Sequence, residues 1–148
     1  MDRYDFMKEA LKEAEKCNDS KDVPVGAVIV KDGKIIARGR NLKEQENKSV
    51  LHAEIVAITN ANKALINTNL SGCELYVTLE PCPMCAGAII NSKIDKVVFG
   101  AFDLKNGACG SVTNLFSLPF THKAECYGGI MEDKCSEILT NFFKNIRK

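Results

Sequence analysis

Residues 74–92 read ELYVTLEPCPMCAGAIINS, and this stretch decides the fold. Its first part, residues 74–79, contains the β-prone run Tyr-Val-Thr and predicts a strand. Pro83 is predicted to open a helix with Cys82 as its cap, because proline is favoured at the first helical position. We expect that helix to end at about Ser92. The stretch is therefore a strand that leads directly into a helix, which is the building unit of an α/β sheet.

Alternation of strands and helices continues along the rest of the chain. Apolar positions recur at helical spacing in three other segments and form short β-prone runs in three more. The predicted helices cover about residues 2–17, 50–65 and the last 15 or so; the predicted strands cover residues 25–30, 35–40 and 96–100, with a hairpin turn at 31–34 and a Gly-rich loop at 103–111. This order predicts an α/β sheet covered on both faces, built as one domain over residues 1–148.

Composition limits the class of protein. The 148 residues carry a formal net charge of +1, so bulk charge argues neither for nor against a nucleic-acid partner. No apolar run approaches the roughly 18 to 20 residues that span a bilayer, and the mixed-charge start of the chain is not typical of a signal peptide. We therefore expect a cytoplasmic protein with no membrane partner. The seven cysteines are an odd number, which favours a metal site or reduced thiols over a disulfide framework.

Binding to RNA would require a local basic patch, because phosphate contacts come from individual lysine and arginine side chains. Two clusters could form one, although such clusters are also common on ordinary solvated surfaces. The first consists of Lys34, Arg38 and Arg40, and the second consists of Lys144, Arg147 and Lys148.

The motif HAE at residues 52–54 and the motif PCPMC at residues 81–85 carry the chemistry. His52, Cys82 and Cys85 offer one imidazole and two thiolates, which is a zinc ligand set with an open fourth position. Glu54 adds a carboxylate that can transfer protons beside the metal. Residues two apart diverge by roughly 200° around a helix, so His52 and Glu54 can converge only at a helix N-terminus. Ser49 is a candidate cap for that helix.

Two other kinds of site remain open for these motifs. A C-x-x-C pair is also typical of a redox site. A closed structural zinc site would take its fourth ligand from another cysteine, namely Cys73, Cys109, Cys126 or Cys135. A closed site has no use for Glu54, so the combination of motifs favours a catalytic zinc ion.

The two motifs together form the H-x-E and P-C-x-x-C signature of the zinc-dependent nucleobase deaminases. The likeness covers nearly the whole chain, which resembles the bacterial tRNA-specific adenosine deaminases in particular. The segments that carry the closer resemblance are residues 23–28, 41, 78–87, 100–103, 105–107, 110–111 and 142–143. The signature specifies only the superfamily, whereas residues 100–111 point to the tRNA branch.

This resemblance implies a three-layer α/β/α, cytidine-deaminase-like fold with a mixed central sheet of about five strands. It implies one zinc ion per subunit, held with a water by the His-Cys-Cys set, and Glu54 as the proton shuttle. The implied reaction is hydrolytic deamination of adenosine to inosine at the wobble position of a tRNA anticodon. Val25 and Asn41 would contact the base, and Asp103, Lys105 and His122 would approach the flanking RNA. A homodimer that binds the anticodon arm is a further implication.

One segment departs from the family pattern, since Thr121-His122-Lys123 stands where members often have Asn-His-Arg. Thr121 offers a hydroxyl in place of an amide, and Lys123 keeps the charge but loses the bidentate fork. Two other functions stay open for the sequence as a whole. A free nucleobase or nucleoside deaminase, of guanine or cytosine type, would use the same zinc chemistry, whereas a zinc-stabilised RNA-binding module would use none of it.

Overall fold

The computed structural model describes residues 1–146 and centres on a five-stranded sheet. Its strands are β1 (Gly26–Lys31), β2 (Lys34–Arg40), β3 (Cys73–Leu79), β4 (Lys96–Ala101) and β5 (Glu125–Tyr127). They lie in the order β2-β1-β3-β4-β5. Strand β1 pairs antiparallel with β2 and β3, whereas β3, β4 and β5 run parallel to one another. The expected mixed sheet is thereby confirmed.

Four α-helices pack on this sheet within the described residues. They are α1 (Arg3–Glu15), α2 (Ala53–Leu65), α3 (Pro83–Ser92) and α4 (Glu132–Ile146); short 3-10 helices cover Lys16–Asp19 and Leu115–Ser117. Helix α1 begins with a capping box, because Asp2 and Asp5 each accept a backbone N–H from the other. Helix α3 has Cys82 as its N-cap and Pro83 at its first position, as the sequence predicted. No helix in residues 1–146 combines the length and apolarity needed to cross a membrane.

Helices cover both faces of the sheet and produce three layers. Successive strand residues point to opposite faces, so each buried strand serves two cores. In β1, Ala27 and Ile29 belong to the core that includes α2 and α3, whereas Val28 and Val30 belong to the core that includes α1 and α4. Burial on both faces explains why this strand is a continuous apolar run rather than an alternating one. The predicted α/β/α architecture is therefore confirmed.

Helix α1 lies unusually close to the sheet. A side chain at Gly26, the first residue of β1, would collide with the carbonyl oxygen of Ala10 and the backbone nitrogen of Ala14. A charged contact also joins this helix to the sheet, because Arg38 of β2 lies 2.7 Å from a carboxylate oxygen of Glu9. Arg38 is thus occupied by an ion pair at the helix and does not contribute to a free basic patch around the pocket described below.

The structure corrects one expectation, adds one strand that the sequence did not reveal, and leaves part of another expectation outside its range. Ser49 does not cap α2, which begins at Ala53 with His52 as its N-cap; a hydrogen bond from the Leu42 N–H to the Leu51 carbonyl closes the preceding loop instead. Strand β5 was not assigned to any segment from the sequence, because three residues provide too little alternation to recognise. Arg147 and Lys148, which were candidates for a basic patch, lie outside the described residues.

The contact at Gly26 yields a test of the packing of α1. Replacement of Gly26 by alanine should lower the free energy of unfolding by about 3 kcal/mol, because backbone atoms rather than flexible side chains occupy the space. The matched control is Gly87→Ala in α3, where the added Cβ meets nothing within 4 Å and should raise stability by about 0.5–1 kcal/mol. Urea unfolding monitored by circular dichroism measures both. Equal stability of Gly26→Ala and the wild type would contradict the packing described.

Candidate functional site

Two helices begin side by side at the edge of the sheet where β3 and β4 end. Strand β3 leads through Glu80 and Pro81 into α3, so Cys82 and Cys85 lie in the first turn of that helix. His52 is the N-cap of α2. Neither His52 nor Cys82 uses its side chain to cap its own helix, and the two side chains face each other instead. The edge formed by the carboxyl ends of parallel strands is where open α/β sheets bind ligands.

The three side chains have the spacing of a tetrahedral zinc site. The Nδ1 atom of His52 lies 3.6 Å from the Cys82 Sγ and 3.7 Å from the Cys85 Sγ. Zinc bonds of about 2.0–2.1 Å to nitrogen and about 2.3 Å to sulfur, at a tetrahedral angle, would separate these atoms by about 3.6 Å. The donor set therefore fits one zinc ion bound by three protein ligands.

No fourth protein ligand joins this cluster within residues 1–146. Cys73, Cys109, Cys126 and Cys135 are free cysteines that lie outside the cluster. A closed Cys3His structural site is thus not supported. The presence of His52 beside both thiols also favours metal binding over a simple redox pair. The arrangement keeps one coordination position free for a water or a substrate atom, as in catalytic zinc sites.

Local electrostatics favour the metal-binding form of Cys82. Hydrogen bonds from the Cys85 thiol and from His52 lower the pKa of the Cys82 thiol to about 4, against the opposing effect of burial. The same contact to Cys82, together with burial, raises the pKa of Cys85. The positive end of a helix dipole favours a thiolate at this position. These contacts therefore favour the thiolate form of Cys82, which is the form that binds a metal ion.

Glu54 lies in the first turn of α2 and is almost completely buried, with 4% of its surface exposed. Burial raises the pKa of its carboxyl group to about 7. Proton transfer is most efficient when the pKa of the transferring group is close to the working pH. Glu54 is therefore suited to accept and to donate a proton beside the His-Cys-Cys cluster.

A pocket of about 690 Å³ opens over this cluster. Four of the five predicted substrate-binding residues line it, namely Val25, Asn41, Asp103 and Lys105, together with His52, Glu54 and Cys82. The amide of Asn41 is oriented by two contacts: its Nδ2 donates to the Val23 carbonyl at 3.2 Å, and its Oδ1 accepts the Lys43 N–H at 3.2 Å. The structure thus brings residues from five segments of the chain to one cavity.

His122 does not line this pocket. Its Nε2 lies 2.7 Å from the carbonyl oxygen of Ile94. Ile94 lies two residues before β4, at the amino end of that strand, whereas the pocket lies beyond the carboxyl ends of β3 and β4. The fifth predicted substrate-binding residue is therefore at the opposite edge of the sheet within one protomer.

Several pocket residues were missed from the sequence. Lys43 lies on the rim beside Lys105, and the exposed side chains of Phe102, Leu104 and Phe143 also line the opening. Phe102 and Leu104 are apolar residues inside the polar segment that follows β4. This pattern could have indicated that they line a binding site. Phe143 gave no such signal, because its apolar position within α4 is equally typical of a buried helix face. The rim therefore combines two lysines with exposed aromatic surface.

The ligand spacing yields a prediction about metal content. Purified protein should contain about one zinc ion per chain, and His52→Ala and Cys85→Ala should each lose most of it, because two remaining ligands hold zinc weakly. Cys73→Ala is the matched control: it removes a buried thiol outside the cluster and should keep the metal. Elemental analysis by mass spectrometry measures the zinc. Retention of a full complement of zinc by His52→Ala would exclude the proposed ligand set.

Comparison with known proteins agrees with this geometry. Residues 1–101 match the family model described as the cytidine and deoxycytidylate deaminase zinc-binding region. The chain is 51% identical over 144 residues to a tRNA-specific adenosine deaminase of Bacillus subtilis, a match that covers 97% of this chain and 89% of that protein.

Two solved structures are also similar. One, from a study of A-to-I editing by tRNA:A34 deaminases at the wobble position of transfer RNA, is 44% identical with a TM-score of 0.88, covering 91% of this chain and 99% of that chain. The other, a guanine deaminase from Bacillus subtilis, is 33% identical with a TM-score of 0.67, covering 82% of this chain and 88% of that chain. The chain therefore belongs to the cytidine and deoxycytidylate deaminase family, and within it to the tRNA-specific adenosine deaminases.

Proposed function

We propose that this protein hydrolyses the wobble adenosine of a tRNA anticodon to inosine, acting as one deaminase domain over residues 1–148. The observation that carries the proposal is the buried Glu54 beside the His-Cys-Cys cluster, in a pocket that Lys43 and Lys105 also line. The high identity to a tRNA-specific adenosine deaminase supports the choice of substrate. Because the proposed substrate is tRNA, we also expect the protein to act in the cytoplasm.

The proposed mechanism follows the chemistry of the zinc-dependent nucleobase deaminases. His52, Cys82 and Cys85 would hold the zinc ion, which supplies Lewis-acid activation of a water at neutral pH. Glu54 would take a proton from the attacking water and transfer it to the purine ring. The same carboxyl would then take the second proton, from the hydroxyl that has added to C6, and deliver it to the departing amine, so that C6 keeps the oxygen and ammonia leaves. A carboxyl whose pKa is about 7 can serve in both directions.

Substrate binding is proposed for the residues that line the pocket. The oriented amide of Asn41 would hydrogen-bond the base, and Val25 would form an apolar wall beside it. Lys105 would attract the RNA backbone. Asp103 would act through the loop, because its carboxylate accepts the N–H groups that fix the turn carrying Lys105. Exposed aromatic side chains at the opening suit unstacked nucleotides, since RNA is commonly recognised with its bases splayed out on aromatic rings. His122 could reach RNA only beyond this pocket or through a second protomer.

A homodimer that binds the anticodon arm is the second part of the proposal. Specific nucleic-acid interfaces bury about 1,000 Å² or more of protein surface, which is demanding for a domain of this size. Val112, Leu118 and Phe120 expose large apolar side chains around the 3-10 helix that packs on α3. Several large apolar side chains exposed near one element are typical of a protein–protein interface.

Glu54→Gln provides the decisive test of the reaction. This variant should lower inosine formation in an unmodified tRNA with A34 by about 10²–10⁴-fold, because the proton shuttle is removed, and it should retain its zinc. Glu13→Gln is the control, since Glu13 is a similarly buried carboxylate bonded to Lys16 and Arg38, remote from the pocket. Conversion is measured by sequencing the tRNA. A wild-type protein that leaves A34 unchanged but deaminates free guanine or cytosine would overturn the tRNA assignment in favour of free-base deamination.

The dimer is tested by light scattering after gel filtration. Wild-type protein should have twice the mass of one chain, and Phe120→Asp should shift the equilibrium towards monomer by placing a charge in the apolar contact. Lys34→Glu, on the distant edge strand β2, is the control and should remain dimeric. A monomeric wild-type protein at micromolar concentration would remove the dimer from the proposal.

A further inference from the structure

Glu80 is a buried carboxylate that the proposed mechanism does not use. It follows β3 directly, stands two residues before Cys82, and has only 2% of its surface exposed. Within residues 1–146 no lysine, arginine or histidine forms an ion pair with it. A buried carboxylate without a cationic partner is costly unless hydrogen-bond donors surround it. The donors around Glu80 therefore indicate what the residue does.

All the hydrogen bonds recorded to the Glu80 carboxylate come from one loop, residues 103–111. Its Oε1 accepts the Asp103 N–H at 3.0 Å and the Ser111 hydroxyl. Its Oε2 accepts the Cys109 N–H at 3.1 Å and the Ser111 N–H at 3.0 Å. Asp103 and Ser111, at the two ends of the loop, and Cys109 between them thus all donate hydrogen bonds to a single side chain.

The backbone next to Glu80 holds the same loop. The Pro81 carbonyl accepts the Ala108 N–H at 2.8 Å, and the Glu80 N–H donates to the Ala101 carbonyl at 2.9 Å. There is no room for a side chain inside the loop, because a Cβ at Gly107 would collide with the Glu80 carboxylate. The loop is therefore folded around this carboxylate rather than merely adjacent to it.

This loop carries the residues of the pocket rim nearest to solvent. The Asp103 carboxylate accepts the backbone N–H groups of Lys105 and Asn106, each at 3.1 Å, which fixes the turn that presents Lys105. Asp103 is itself held by Glu80. Glu80 stands two residues before the metal ligand Cys82 and binds Asp103, which in turn fixes the turn that carries Lys105. These contacts therefore set the position of Lys105 relative to Cys82.

We propose that Glu80 is a positioning residue that holds the RNA-binding loop 103–111 at a fixed distance from the metal centre. The inference rests on the proposed function for the identity of the substrate. A rim that is ordered before RNA arrives avoids the entropic cost of ordering it on binding. Loss of the contact should therefore weaken RNA binding much more than the chemical step.

Glutamine is the informative replacement because it keeps the size of the side chain. Its NH2 group cannot accept a hydrogen bond, and at the Oε2 position it would face two backbone N–H donors. If the NH2 group takes the Oε1 position instead, the Ser111 hydroxyl can rotate and accept a hydrogen bond from it. The Asp103 N–H, however, then loses its acceptor. Glu80→Gln should therefore release the loop at its Asp103 end.

The experiment compares steady-state kinetics on tRNA with hydrogen exchange of the loop. Glu80→Gln should raise KM for tRNA about tenfold or more, with kcat at saturating tRNA within about threefold and an unchanged zinc content. Amide exchange in residues 103–111 should accelerate in the same variant. Ser111→Ala and Gly107→Ala disturb the same contact from the loop side and should change KM in the same direction if Glu80→Gln does not fold. Glu13→Gln should leave KM and loop exchange at wild-type values.

Unchanged KM and unchanged loop exchange in Glu80→Gln would overturn the proposal. A loss of kcat that accompanies a loss of zinc would also overturn it, because Glu80 would then support the first turn of α3, which carries Cys82 and Cys85, rather than the loop. Failure of wild-type protein to act on tRNA would instead reject the proposed function. In that case the exchange measurement still decides whether Glu80 holds the loop.

Discussion

The meeting of two helix N-termini at one edge of the sheet is the constraint on which the rest of the structure depends. Two thiols, an imidazole and a carboxylate are gathered there in a space where burial penalises charge. Both helices point their N-termini at the site, so partial positive charge and unpaired N–H groups face it. These groups stabilise thiolates there. Helices α2 and α3 are held in these positions because both pack into one hydrophobic core with β1, β3 and β4.

The proposed function assigns chemistry and recognition to different parts of the chain. The metal cluster and Glu54 belong to the first turns of α2 and α3, whose backbones are held by the core. Loops form much of the rim of the pocket, among them residues 103–111, which contain no regular helix or strand, and Phe143 of α4 completes it. Loops can change between relatives without moving the reacting groups. The same fold can thus serve different bases, as its likeness to a guanine deaminase illustrates.

The sequence predicted those features that depend on local pattern. The unit formed by β3 and α3 was recognised because β-prone residues, a cap and a proline at the first helical position all agree. Strand β5 and the cap of α2 were not, since their formation depends on pairing with distant segments: β5 on β4, and the loop before α2 on the bond between Leu42 and Leu51. Glu80 was overlooked for the same reason, because every hydrogen-bond partner of its carboxylate lies at least 23 residues away.

Strands β2 and β5 form the two outer edges of the sheet. An open edge is a template on which another chain can add a strand and begin aggregation. Strand β5 has only three residues, and β2 carries Lys34, Arg38 and Arg40. Short edge strands and charged edge side chains are recognised defences against such pairing. A sheet whose interior strands are almost wholly apolar is thereby protected from self-association at its edges.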